Sequence, residues 1–227
     1  MNSKLKTRKK KKKEKSRARE WTENLIWAIA IALILRAFVV QAYRIPSSSM
    51  EDTLLAGDFL LAEKITYRFR DPHQREIIIF EYPLNPSKDF VKRCIATGGQ
   101  TVYIKDKVVF VDGKPFDDPP YVKYTDPHIL ISELSPRDNM SPKKIPPGKF
   151  FVMGDNRDNS YDSRFWGPLD KKYIKGSPMF IYFSWAEDPS APKVSLSNPI
   201  SWVTSFFYNL VHFPWRVRWT RIGRIIH

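Results

Sequence analysis

The stretch "DFVKRCIATGGQTVYIKDKVVFV", residues 89–111, decides the fold class. It carries three short runs, 89–97, 101–104 and 107–111, dense in Val, Ile, Thr, Tyr and Phe, and "GGQ" parts the first from the second. Such side chains fit a pleated, half-buried surface, and glycine-rich breaks between them are hairpin signals. Outward from this stretch the pattern repeats in "FLLAEKI" (59–65), "EIIIFEY" (76–82), "KFFVM" (149–153) and "MFIYFSW" (179–185), with "AGD", "VDGKP" and "PPGK" at the breaks. No amphipathic helix is read between the runs. The expectation is a mostly β chain: an antiparallel domain with coiled, barrel-like sheets. Residues 112–148, rich in Pro, Asp and Lys, read as an excursion between strands, with room for short strands of its own. Residues 186–215 contain "PISWVTSFFYNLVHFPW", too short and too polar to span a bilayer. This insertion reads equally as a membrane-facing surface segment or as a packed C-terminal arm.

Ahead of the β runs lies "LIWAIAIALILRAFVVQA", residues 25–42, interrupted only by Arg36 and Gln41. As a helix it covers roughly 27 Å, enough for the hydrocarbon core of a bilayer. Arg36 sits near the far end, where its stem can snorkel to the headgroups, and Trp21 and Tyr43 flank the span as interface aromatics. A cleavable signal peptide is the rival reading, because "VQA" at 40–42 has the small-residue form of a cleavage site. Arg36 argues against it, since it stands between the apolar segment and that site. The division is then a basic cytoplasmic tail at 1–20, a transmembrane anchor at 21–43, and an extracytoplasmic β domain at 44–227.

The net charge of +14 first suggests a nucleic-acid partner, but its distribution removes the argument. Residues 1–20 carry 11 Lys/Arg against two Glu, residues 212–227 carry four Arg and no acid, and the stretch between them is nearly neutral. A lysine run without interleaved aromatics is a solvated flank to an anchor. Cys94 is the single cysteine, so no disulfide can form within the chain. His73, His128, His212 and His227 are scattered without metal-ligand spacing, which gives a zinc site or a Ser-His-Asp triad little support.

Three polar features remain. "IPSSSM" (45–50) follows the anchor. In "DFVKRCIA" (89–96) strand alternation puts Lys92 and Arg93 on opposite faces, so one of the two points among apolar neighbours. A buried lysine loses solvation as the ammonium, and its pKa falls toward the range of a general base. "GDNRDNSYDSRFWG" (154–167) fails the EF-hand pattern, with Arg157 at the third position and Trp166 at the twelfth, and reads as a self-bonded loop that positions something.

These motifs, with "GDFLLAEK" (57–64), occur in the order and setting of the type I signal peptidases, which the chain resembles from the anchor to about Trp185. "VRWTRIGRII" also looks like that family's closing segment. The resemblance implies a membrane-bound Ser-Lys endopeptidase that removes signal peptides from preproteins, cutting after small residues. It implies Ser49 as nucleophile, Lys92 as neutral general base, and Ser47 with the Ser49 N–H as oxyanion hole. Ser160 is implied to orient the lysine, Asp162 and Arg164 to form a structural ion pair, and Ile45, Met50, Leu54, Phe90 and Val91 to line the substrate pocket. It implies no metal and no cofactor.

Partners so expected are signal-peptide-bearing preproteins and membrane lipids, with no nucleic acid and a monomeric chain. The location implied is the cell (inner) membrane, single-pass, with the catalytic domain on the outer side. Ser49 lies seven residues beyond Ala42, at most about 25 Å of extended chain, so the nucleophile is expected close to that surface. One departure is "ATGGQ" (96–100), where many members read Gly-Leu-Pro-Gly-Asp. The non-enzymatic alternative is a tethered β adaptor whose basic tails bind lipid.

Overall fold

The computed structural model describes residues 17–195 and 197–226, in two compact units with the boundary after Phe38. Most of the basic tail therefore lies outside the described residues. Its last four residues open a helix.

The first unit is that helix, α1, Arg17–Phe38. Its stretch Arg19–Phe38 is long and apolar enough to cross a membrane, and its large apolar side chains are exposed. The helix stops five residues before the expected end at Tyr43. Val40–Arg44 is instead a strand, β1, paired antiparallel with β2 (Asp58–Glu63): Val40 faces Glu63, Gln41 faces Ala62 and Ala42 faces Leu61. The apolar run is continuous in sequence, but β-branched Val39 and Val40 fit a strand better than a helix, and β2 supplies ladder partners. The apolar helix therefore ends at Phe38, and the residues up to Tyr43 belong to the sheet.

The second unit is built on two antiparallel sheets. After β2 comes a single helical turn, α2 (Thr66–Phe69), then β3 (Ile77–Glu81), β4 (Asp89–Ala96), β5 (Thr101–Lys105), β6 (Val108–Val111), β7 (Lys114–Pro115), β8 (Met140–Lys144) and β9 (Lys149–Met153). A short turn, α3 (Ser163–Trp166), leads to β10 (Leu169–Asp170), the long β11 (Ile174–Ser184) and helix α4 (Pro199–Arg216). The larger sheet runs β1-β2-β11-β3-β4-β9-β10 and the smaller β7-β6-β5-β8. Long β11 pairs with β3 along its first part and with β2 along the rest, with register shifts at Ile174/Gly176, Pro178/Phe180 and Ile181/Phe183. Such irregularities bend a strand and raise its twist, which curls the sheet into an open half-barrel. Gly176 permits one of them, since a Cβ there would stand 2.0 Å from the Glu63 carbonyl oxygen.

The continuous apolar run of β3 is explained by burial on both faces. Ile77 and Ile79 pack with Ile45, Met50, Leu54, Leu60 and Ile181, while Ile78 and Phe80 pack with Tyr67, Cys94, Phe150 and Val152. A third cluster joins the sheets through Ile95, Val102, Val109, Phe151 and Met153. The excursion at 112–148 does hold strands, β7 and β8. The sequence reading missed α4, an 18-residue helix inside the insertion at 186–215. Its start has the expected chemistry, for the Asn198 side chain caps the Ile200 N–H and Pro199 occupies the first turn.

Candidate active site

Strand β4 delivers the two cations in different states. Lys92 and Arg93 point to opposite faces, yet both are buried, at 3% and 1% exposure. Arg93 is paired: its Nε and Nη2 each donate to the Asp155 carboxylate at 2.8 Å. A guanidinium cannot shed its proton, so a buried one must find a carboxylate. Lys92 has no carboxylate at ion-pair distance among the described residues. Its Nζ stands 2.5 Å from Ser49 Oγ and 5.4 Å from the Phe90 ring centre. Burial draws its pKa down from 10.5 to about 8; Asp162 opposes the shift and Arg164 assists it. An amine of that kind, touching a serine hydroxyl, can act as a general base.

Ser49 lies on the irregular segment between β1 and β2. Its carbonyl accepts from the Asn156 N–H at 3.1 Å. Ser47 Oγ lies 3.3 Å from Ser49 Oγ, and Ser48 Oγ accepts from Asn159 Nδ2 at 2.8 Å, so the central serine ties the segment to the polar loop. That loop is held from within by Asp162, whose carboxylate takes Arg164 Nε and Nη2, each at 2.8 Å, and the Gly154 N–H at 3.0 Å. Burial alone would raise the Asp162 carboxyl, but the Arg164 charge and these donors hold it below the usual range. Ser160 lines the same cleft with its hydroxyl buried and without a hydrogen-bond partner, so the bond to Lys92 that the resemblance implies is not formed in this structure.

A cleft of about 830 Å³ runs past these groups. Ile45, Met50, Phe90 and Val91 line it, joined by Tyr43, Tyr161 and Phe165. Leu54 does not line it; the side chain is fully buried in the cluster behind Met50. The cleft is apolar along most of its wall, with Ser47, Ser49 and Lys92 among its polar groups, the pattern of a ligand-binding site.

With that geometry in place, comparison with known proteins is decisive. Residues 18–185 match the family model described as signal peptidase, peptidase S26. The chain belongs to the signal peptidase family. It is 33% identical to signal peptidase I of Aquifex aeolicus over 91% of this chain and 98% of the relative. It is 39% identical to a probable signal peptidase I of Synechocystis over 70% and 79% respectively. A solved signal peptidase I from Enterococcus faecalis V583 superposes with TM-score 0.38 at 23% identity, covering 48% of this chain and 97% of that one.

Several supports of this signal peptidase site were not read from sequence. A Cβ on Gly154 would meet Ser160 Oγ at 2.3 Å and the Ser49 carbonyl oxygen at 2.4 Å, so only glycine lets the loop close on the serine segment. The excursion braces the loop from outside, through the Asp118–Arg157 ion pair and backbone bonds from Lys123 to Asp155 and Arg157. Thr53 Oγ1 donates to Asp155 at 2.6 Å, tying the serine segment to the Arg93 pair. Among the described residues no cluster of three or more His, Cys, Asp or Glu is arranged to hold a metal ion.

Proposed function

We propose that the chain is a membrane-bound serine endopeptidase that removes signal peptides from preproteins, with Ser49 as nucleophile and neutral Lys92 as general base. The single observation that carries the proposal is the buried Lys92 amine 2.5 Å from Ser49 Oγ, with no carboxylate at ion-pair distance among the described residues. At pH 7 a lysine of pKa about 8 is neutral roughly one time in ten, against about one in 2,500 for an ordinary lysine.

In this mechanism Lys92 takes the Ser49 proton as Oγ attacks the scissile carbonyl, and the ammonium returns it to the departing amine. The oxyanion is received by the Ser49 N–H and the Ser47 hydroxyl. A water then attacks the acyl-serine, with Lys92 again taking the proton. Ser160, whose buried hydroxyl lines the same cleft, orients the lysine once substrate fills it. Asp162 and Arg164 keep the loop in place. Ile45, Met50, Phe90 and Val91 favour small aliphatic side chains before the cut.

Helix α1 supports a single-pass anchor. We assign its N-terminal side to the cytoplasm, from the lysine-rich flank, and the β domain to the outer face of the cell membrane. The adaptor reading is not favoured, because a tether needs no desolvated amine against a serine. The test is cleavage of a purified preprotein by the full chain and by Ser49→Ala and Lys92→Ala variants. Loss in both supports the dyad, and retained cleavage in either removes it.

A further inference from the structure

Helix α4 is amphipathic in the inverted sense. Ser201, Ser205, Tyr208, Asn209, His212 and Arg216 recur at helical spacing on one stripe, and this polar stripe is the side turned inward. Tyr208 Oη donates to Asp188 at 2.8 Å, Asn209 Nδ2 donates to Ser205 at 3.3 Å, and Arg216 donates to the Ala186 carbonyl at 3.1 Å while lying over the Trp185 ring. The rest of the helix surface is exposed: Val203, Phe206, Phe207 and Leu210 opposite the polar stripe, Phe206 at 62%, and Trp202 and Trp215 at its two margins, Trp215 at 78%. A helix of a water-surrounded domain turns its apolar stripe to the core. A contiguous exposed stripe of this kind marks an interaction site.

We propose that α4 lies in the plane of the bilayer, with the Phe206 stripe sunk among the acyl chains of an anionic lipid surface. Three observations select lipid over a protein partner. The exposed stripe is aliphatic and aromatic along its length and carries Trp near both ends, as interfacial helices do. Residues 189–227 contain no Asp or Glu to oppose an anionic surface, and Lys193 and Arg224, before and after the helix, are exposed. The chain also carries α1, long and apolar enough to cross a membrane, so a bilayer is present at high effective concentration. Arg216, Arg218 and Arg221 are engaged by the protein itself and serve to fix the helix rather than to bind headgroups.

The experiment uses the full chain in vesicles of phosphatidylcholine and phosphatidylglycerol. Cys94 is fully buried, so a nitroxide can be placed on Phe206→Cys alone, with Glu133→Cys on the exposed excursion as the reference. The label at 206 is expected to collide with oxygen severalfold more, relative to a water-soluble nickel complex, than the label at 133. Equal accessibility of the two labels to nickel overturns the proposal. So does spin–spin broadening at 206 that disappears on dilution with unlabelled chain, which assigns the face to a second copy. Phe206→Asp with Leu210→Asp is expected to leave the melting temperature in detergent unchanged; a marked fall would mean that the stripe packs on the protein, and would also overturn it.

Discussion

Arg221 sets its guanidinium on Asp58, with both side chains buried, Nη2 at 2.5 Å from one carboxylate oxygen and Nε at 3.0 Å from the other. The same Nη2 donates to the Thr53 carbonyl at 3.0 Å. The closing segment of the chain thereby holds the loop that begins at Ser49. Arg221→Met is expected to cost about 3 kcal/mol of stability, the lower end of the range for a broken buried pair. Asp58 keeps donors from Ser184 and Leu55, with Arg218 3.7 Å away. Denaturant unfolding in detergent measures it. An unchanged midpoint would refute the stapling role.

Lys92→Met is expected to abolish cleavage and to stabilise the fold at pH 6. The folded lysine has its pKa lowered from 10.5 to about 8. Below pH 8 it is therefore charged in both folded and unfolded states, and burial of that charge costs about 3 kcal/mol. Between pH 8 and 10.5 the unfolded chain binds more protons than the folded one, so wild-type stability rises and the advantage of the variant shrinks. Melting curves across this range test the sign.

Cleavage is expected to rise with pH through about 8 and then level off, because only the neutral amine can accept the Ser49 proton. Measured as kcat/KM, the profile reports the free enzyme. A flat profile from pH 6 to pH 10 would rule out Lys92 as the titrating base.

Gly154→Ala is expected to fold less stably and to lose on the order of 10²-fold in kcat, since displacement of catalytic groups by about 1 Å has that effect. The added methyl must push aside either Ser160 or the Ser49 backbone. Wild-type kcat in this variant would show that the loop yields elsewhere.

Ser47→Ala is expected to lower kcat by about 10²–10³-fold with little change in KM, as loss of one oxyanion donor does. The hydroxyl stands near the nucleophile but bears no substrate side chain. A change confined to KM would reassign Ser47 to binding.

How much of this was legible varies with the kind of signal. β3, β4 and β9 were readable because Val, Ile and Phe runs ended in turn residues. The pairing of Lys92 with Ser49 was implied only by motif order, since 43 residues separate them and no local rule brings them together. Arg93 was half legible: alternation placed it opposite Lys92, but its burial depends on Asp155, supplied by another strand end. β1 was hidden inside an unbroken apolar run, where periodicity cannot tell strand from helix. α4 was hidden because its stretch was read as too short and too polar to span, without asking which stripe the polar residues formed. Gly154 is invisible in sequence, since the need for it arises where two segments of the chain, distant in sequence, meet.

The pairing of β1 with β2 also bears on how the molecule survives its own chemistry. Val40-Gln41-Ala42 has the small-residue form that such a peptidase is proposed to cut, yet its backbone is already bonded along β2. A protease reads a chain only when that chain is free to lie extended in its cleft. The ladder thus shields the bond after Ala42 from any neighbouring copy, and a charge at Arg36 need not be the safeguard. Resistance to self-digestion is then expected to arise with folding, at the step in which β1 pairs with β2.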